Sequence, residues 1–398
     1  MTISTLSFQM NAVNQMDALQ TAMAKTQTQL STGKQIQTAA DNPVGMSQVV
    51  QLNTQLSASQ QYVANGTLAT TGLNLETQAL SDATNTLQSA RSLIVEANNG
   101  ALNATQRQAI ATQLKQLQQQ LVSIGNRQDA QGNYLFSGYA SGTQPFAQNG
   151  TSVTYQGAAQ VNQVQLSADQ SISTGDTGNA VFMNIPAGNG TFTTSAGASN
   201  TGSASFGTGT LTNPSAWIPG NYTLTFGTGN SYKITDSAGA TISSGSYTAD
   251  AGGSFTISFN GAQLAFNGTP ATNDQFAIDS AGTASVFSTI ASAISALSTP
   301  SLNAAQITTQ LNGALQQVDG AVNNFNQVSA SVGARLNAVS AASSTAQSAQ
   351  TSIQTTISKI SDTNYAAATT QLSTEELALQ AAQASYASMM QLTLFKYI

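Results

Sequence analysis

The carboxylates and glycine-rich turns that could do chemistry in this chain stand in patterns that argue against it. Glu375 and Glu376 are adjacent in a helical stretch. A general acid and base must share one face, and side chains one residue apart on a helix diverge, so this pair describes a solvated first turn. Asp236, Asp250 and Asp274 lie among Gly, Ser and Asn, where turn formation accounts for them. Gly227-Thr228-Gly229 starts like a phosphate-cradling loop, but no Lys-Ser follows and no helix opens after it. Because the chain has no Cys and no His, thiolate nucleophiles, zinc ribbons, disulfides and imidazole-based triads are closed to it. The sequence predicts no catalytic residue, no metal ligand and no cofactor.

Composition narrows the partners. Only 7% of residues are charged, the net charge is −6, and the 10 basic residues are scattered singly, which leaves no electrostatic footprint for nucleic acid. Met1-Thr2-Ile3-Ser4-Thr5 has neither the basic nor the apolar region of a cleavable secretory signal. No apolar run approaches the ~18 residues of a membrane span, so no membrane insertion is expected. At 398 residues the prior is two or three domains.

Apolar seams must therefore do the organising. Leu311, Leu315, Val318, Val322, Phe325, Ser329, Val332, Leu336, Val339, Ser343, Ala346, Gln350, Ile353, Ile357 and Ile360 alternate steps of four and three residues, a heptad stripe without a stutter. At ~1.5 Å per residue a helix carrying it is about 75 Å long. Such a helix needs a partner surface to bury its stripe. Leu73, Leu80, Leu87 and Ile94 stand seven apart, with Ala83, Ala90 and Ala97 three residues after the last three of them. That alternation of large and small lets a neighbouring helix come close. Ile110, Leu114, Leu117, Leu121 and Ile124 repeat the rhythm. The expected bundle seam is Leu73, Leu80, Leu87, Ile94, Leu114, Leu121, Val318, Phe325, Leu336 and Ile353.

Both ends carry further amphipathic helices. Ile3, Leu6, Met10, Val13, Met16, Leu19, Met23 and Leu30 keep helical spacing up to Gly33, a suitable C-terminal cap, and Asn42-Pro43 reads as an N-cap with proline at the first helical position. Leu372, Leu379, Tyr386, Met389 and Met390 lead to the ending Leu392-Thr393-Leu394-Phe395-Lys396-Tyr397-Ile398, an apolar tail that implies a docking surface. The expected assembly residues are Ile3, Leu6, Met10, Val13, Leu19, Met23, Leu30, Leu372, Leu379, Tyr386, Met390, Leu392, Leu394, Phe395, Tyr397 and Ile398.

Between the helical halves the period changes to two. Val153 and Tyr155, Val164 and Leu166, and Val181, Met183 and Ile185 read as short hairpins. From about Thr191 to Asp279 the spacing predicts strands at 222–226, 232–234, 255–259, 264–266 and 276–278, with Phe259-Asn260-Gly261-Ala262 as the strongest turn. This is a small antiparallel sandwich or barrel. Helix returns at Phe287, Ile290, Ile294 and Leu297, and Thr299-Pro300 ends it and restarts the long one. The fold class is mainly α with inserted β: a long heptad-patterned helical bundle from both chain ends and a small antiparallel β domain in the middle. The expected division is 1–40 and 361–398 as terminal helices, 41–189 and 283–360 as a helical rod domain with short hairpins, and 190–282 as the β insert.

Particular words resemble the flagellin family of bacterial axial proteins. Gln29-Leu30-Ser31-Thr32-Gly33-Lys34 followed by Asp41-Asn42-Pro43 is similar to the family's N-terminal signature. Gly132-Asn133-Tyr134-Leu135-Phe136-Ser137-Gly138, with Thr143 and Pro145-Phe146, is typical of the hook-filament junction branch of that family. Gly333-Ala334-Arg335-Leu336-Asn337 and the Leu394-Phe395-Lys396-Tyr397-Ile398 ending match as well. The resemblance covers roughly residues 1–185 and 285–398. Thr2, Asn42, Asn364 and Lys396 depart from the usual residues at those places. The resemblance implies a flagellin-like structural subunit with no enzymatic activity, exported without a cleavable signal through a type III route to the extracellular flagellum. The partners it implies are hook-associated protein 1, filament flagellin, further copies of itself in a ring and a dedicated export chaperone. The alternatives are filament flagellin itself and, from another class, a trimeric surface adhesin or phage-tail-like fibre.

Overall fold

The computed structural model describes residues 4–394. Among the described residues there are six α-helices: α1 (Ser4–Thr32), α2 (Pro43–Ala97), α3 (Ala104–Gly125), α4 (Val286–Ser298), α5 (Ala304–Ser361) and α6 (Tyr365–Leu394). The mainly α architecture with a central antiparallel β domain is the one the periodicities specify. The chain divides into two compact units, one drawn from residues up to Ala64 together with those from Ala342 on, the other being Asn65–Ala341.

In the first unit α1 packs against α6. Gly33 ends α1 with φ +69°, the left-handed conformation a C-terminal cap requires, and its N–H donates to Gln29 O at 2.9 Å. Asn42 Oδ1 accepts from Gly45 N–H at 2.9 Å and so caps α2. Within the same unit Ser59 Oγ donates to Ala346 O at 2.9 Å, joining α2 to α5.

In the second unit α2 and α5 run antiparallel. Asn98 Nδ2 donates to Asn312 Oδ1 at 2.8 Å, and Arg91 Nε meets Asp319 Oδ1 at 2.7 Å. Leu73, Leu80, Leu87 and Ile94 are buried here, as are Val318, Phe325, Val332 and Val339. Leu336 is half-buried, so it flanks this core. Ile353, on the same stripe but in the first unit, is also half-buried. Leu114 and Leu121 of α3 are buried, and α3 takes α4 as its neighbour. Gln118 closes that contact, its Nε2 donating to Phe287 O at 2.9 Å and Thr151 O at 3.0 Å.

The word Leu-Asn-Ala-x-Gln starts two helices. Asn103 and Gln106 form a reciprocal capping box at α3, and Asn303 and Gln306 repeat it at α5. The restart of α5 therefore falls at Asn303 and not at Pro300: two side chains satisfy free amides there, whereas proline removes only one.

Short hairpins follow α3: β1 (Phe146–Asn149) with β2 (Ser152–Tyr155), and β3 (Gln163–Ser167) with β4 (Gln170–Ser173). The strand expected around Val181 and Met183 is instead a π-helical turn, Asn179–Met183. Val181 and Phe182 are consecutive and both fully buried, which alternating strand faces do not favour. Phe182 stands at the centre of an aromatic cluster, with ring centroids 5.1 Å from Phe136, 5.4 Å from Phe146 and 5.2 Å from Phe325. Ile185 then begins β5 (Ile185–Pro186), which pairs with β14 (Thr283–Ala284).

The β domain has two antiparallel sheets. Strands β6 (Phe192–Ala196), β8 (Asn221–Phe226), β9 (Ser231–Asp236), β10 (Thr241–Ser246) and β13 (Gln275–Ser280) form one, ordered β10-β9-β8-β13-β6. Strands β7 (Ser205–Leu211), β11 (Ser254–Phe259) and β12 (Ala262–Asn267) form the other, ordered β11-β12-β7. Phe226, Phe255, Phe266 and Phe276 share one core. At the β11-β12 hairpin Phe259 faces Ala262 across a two-residue turn with φ +46° at Asn260 and +76° at Gly261, the primed turn that this sequence favours.

This domain is fastened to the first turns of α5 by amide and hydroxyl groups. Asn303 Nδ2 donates to Asn200 O at 2.9 Å, and Gln306 Nε2 donates to Gly197 O at 2.9 Å. Thr309 Oγ1 accepts from Phe206 N–H at 3.0 Å, and Asn312 Nδ2 donates to Phe206 O at 2.8 Å.

Candidate assembly surfaces

The described parts of α1 and α6 leave large apolar side chains uncovered in the single chain. Phe8 is 54%, Met10 61%, Val13 49% and Leu377 64% exposed. Leu19, Met23, Leu30, Leu372, Leu379 and Tyr386 are half-buried along the helix pair, and Met390 is exposed. The expected assembly residues thus fall into two groups, one lining the α1-α6 contact and one facing away from it. Ile3, Phe395, Tyr397 and Ile398 lie outside the described residues, as do the side chains of Leu6, Leu392 and Leu394. Spacing does not single out Phe8 and Leu377, because each falls outside the three-four stripe of its helix. Their signal is the reverse: a large apolar residue on the polar face.

The turns that link these helices to α2 and α5 meet in a joint. Gln35 N–H donates to Ser361 O at 2.7 Å and Thr363 N–H to Gly33 O at 2.9 Å. Lys34 Nζ lies 2.5 Å from Asp362 Oδ1, and this ammonium is the main cause that holds the Asp362 carboxyl below its ordinary range. Beside it, Asp41 meets Lys25 Nζ at 2.8 Å and accepts from the N–H groups of Thr38 at 3.0 Å and Gln37 at 3.2 Å. Lys25 first, then these amides, push its carboxyl far down. The words Ser31-Thr32-Gly33-Lys34 and Asp41-Asn42-Pro43 are thus the two sides of one turn.

The carboxylates weighed for chemistry are structural. Glu375 lies in the middle of α6 and not in a first turn, with Gln371 Nε2 donating to its Oε1 at 2.9 Å. Asp236, Asp250 and Asp274 each accept from backbone N–H groups of their own turns. A charged site that spacing did not reveal lies in the second unit, where Glu76 is 2% exposed. It stands seven residues before Ala83, at the position of the seam that otherwise holds alanine. Arg335 of α5 and Asp176 pair beside it. Among the described residues no group of acidic side chains could hold a metal ion, and no helix is long and apolar enough to cross a membrane.

Helices from both chain ends, a joint that ties them together and a β domain between them define a flagellin-type subunit. The chain belongs to the flagellin family: it matches the bacterial flagellin N-terminal helical region over residues 3–141 and the bacterial flagellin C-terminal helical region over residues 315–398. Within that family it is similar to flagellar hook-associated protein 3 of Escherichia coli, with 30% identity over 157 residues, 39% of this chain and 49% of that protein. It therefore spans about half the length of the curated relatives it matches. The crystal structure of Xanthomonas campestris FlgL superposes with a TM-score of 0.70 at 30% identity, over 77% of this chain and 99% of that one. The flagellar junction protein FlgL from Legionella pneumophila gives a TM-score of 0.67 at 31% identity, over 74% and 99%.

Proposed function

We propose that this protein is a structural subunit of the bacterial flagellum, an adaptor at the junction between hook and filament that assembles through its terminal helices. The observation that carries this reading is the exposure of Phe8, Met10, Val13 and Leu377 on the helix pair, while the seam of the second unit is closed. Large apolar side chains left uncovered along one helix pair supply surface suited to association. Similarity to hook-associated protein 3 and to the junction protein FlgL supports the position. The neighbours are hook-associated protein 1 on one side, filament flagellin on the other and copies of this chain around a ring, with an export chaperone beforehand. Contacts of this kind rest on apolar packing and amide hydrogen bonds, as suits a chain with 7% charged residues, and salt screens them little.

Immunogold labelling of sheared flagella tests the reading. Label confined to the hook-filament boundary is the expected result. Label along the filament would make the protein a filament flagellin, and label over the cell surface would make it an adhesin.

A further inference from the structure

Positions 76, 83, 90 and 97 of α2 are one seam register, and Glu, Ala, Ala and Ala occupy them. All four are buried. A carboxyl at a place built for alanine needs a reason, because desolvating a carboxylate costs far more than the packing returns. Glu76 makes no well-formed hydrogen bond through either Oε atom. The 174–176 segment lies over it: a Cβ at Gly72 would come within 2.8 Å of Thr174 O, and one at Gly175 within 3.7 Å of Glu76 Oε2. Arg335 reaches this segment from α5, Nη1 donating to Gly175 O at 3.1 Å and Nη2 pairing with Asp176. Asp176 and Arg335 are the charged groups brought against Glu76, from the loop and from α5. Along α2 the next carboxylate, Asp82, is held by Arg127 at 2.6 Å.

Two carboxylates and one guanidinium cannot all be charged and neutral in sum. With Asp176 taken by Arg335, an ionised Glu76 would leave one uncompensated negative charge in a dry seam. We propose that Glu76, Asp176 and Arg335 form a proton-carrying clamp, in which Glu76 is kept as the neutral acid and its ionisation at alkaline pH loosens the 174–176 segment from α2 and α5. Electrostatics agree with the geometry: burial, then the charge of Asp176, raise the Glu76 carboxyl well above its ordinary value, against a smaller opposing pull from Arg335. A group raised on folding stabilises fully below its unfolded value, and that contribution is lost as pH rises through the folded value. Folding takes up one proton in between.

The test compares the full chain with E76Q, which keeps the shape and removes the ionisation. Above the ordinary glutamate value of about 4.3, the unfolding constant of the wild type should rise relative to E76Q by up to about tenfold per pH unit until Glu76 ionises in the folded chain. The difference isolates Glu76, because every other titrating group is common to both. At pH 7 difference infrared spectroscopy should show the carbonyl stretch of a protonated carboxylic acid in the wild type and not in E76Q. Parallel pH profiles, or no protonated-acid band in the wild type, would overturn the clamp. The infrared arm stands even if E76Q folds poorly, because the wild type alone can fail it.

Discussion

Lys34 Nζ lies 2.5 Å from Asp362 Oδ1, although the two residues are 328 positions apart. Each stands just past the end of a helix, so the contact ties the break after α1 to the break after α5. Backbone bonds from Gln35 to Ser361 and from Thr363 to Gly33 flank it. The ion pair itself is exposed and adds little, roughly 0.2–1 kcal/mol for pairs of this kind; the backbone bonds fix the geometry. Asp362→Asn is expected to leave the melting temperature within a degree or so of wild type. Hydrogen exchange at the amides of Gln35 and Thr363 should nevertheless quicken, and unchanged protection at both would mean that the ion pair does not hold the joint.

Acid should open the same joint from its other side. Asp41 accepts from Lys25, Thr38 and Gln37, which hold its carboxyl below the usual range. A depressed carboxyl stabilises above its unfolded value, about 3.9, and this contribution is lost as pH falls through the lower folded value. Asp41→Asn should therefore cost stability at pH 7 and progressively less below about pH 3.9. Circular-dichroism melts at the two ends of that range check the sign; an equal cost at both would remove the charge from the argument.

Gly132 and Gly138 both have positive φ, +85° and +62°, but their surroundings differ. A Cβ at Gly132 meets nothing within 4 Å, whereas one at Gly138 would lie 2.3 Å from Gln160 O and 2.9 Å from Ala158 O. Backbone carbonyls cannot step aside as a side chain can. Gly132→Ala should cost about 1 kcal/mol for the left-handed conformation, and Gly138→Ala clearly more. Denaturant titrations that rank them equally would place the 158–160 segment elsewhere.

Much of this architecture was legible because its signals are local. Phe259-Asn260-Gly261-Ala262 carries its turn in two residues, Asn103 and Gln106 carry a cap in four, and the heptad stripe of α5 repeats often enough to be unambiguous. What escaped depends on distant partners. Strand β10 is nearly all exposed Ser, Thr and Gly and exists as a strand because β9 pairs with it. Strands β6 and β7 contribute mainly Phe192 and Phe206 to the core, too few apolar residues for alternation to register. The turn at Val181 to Met183 is set by the aromatic cluster around Phe182, and the Lys34–Asp362 joint unites the two ends of the chain. Among the residues expected at assembly surfaces, spacing pointed to half-buried positions along the α1-α6 pair and to the exposed Met10 and Val13, and it passed over the exposed Phe8 and Leu377.

The seat of the β domain on α5 was equally hidden, and Thr309 offers a way to measure it. Thr309 is 1% exposed, and its Oγ1 accepts the buried N–H of Phe206 at 3.0 Å. Thr309→Val keeps the shape and leaves that amide without an acceptor, at a cost of about 1–3 kcal/mol. Asn312 Nδ2 still holds Phe206 O, so the domain should stay folded while its hold on α5 weakens. Exchange at the Phe206 amide reads the effect directly, and persistent protection would show that another acceptor takes over.

Two phenylalanines separate folding from assembly. Phe182 is fully buried and touches the rings of Phe136, Phe146, Phe287 and Phe325, so Phe182→Ala empties the middle of that aromatic cluster and should cost about 3–5 kcal/mol. Phe8 is 54% exposed in the single chain, and an exposed apolar side chain contributes little to the fold it leaves. Phe8→Ala combined with Leu377→Ala should therefore melt with the wild type. If those side chains are instead buried by neighbouring subunits, each returns roughly 1.5–3 kcal/mol to the assembled state, and a contact repeated around a ring multiplies the loss. The double variant should be exported normally yet fail to retain filaments, so that flagellin collects in the medium while Phe182→Ala merely lowers the amount of folded protein. A double variant that supports full-length filaments would show that the exposed face of α1 and α6 is not where subunits meet.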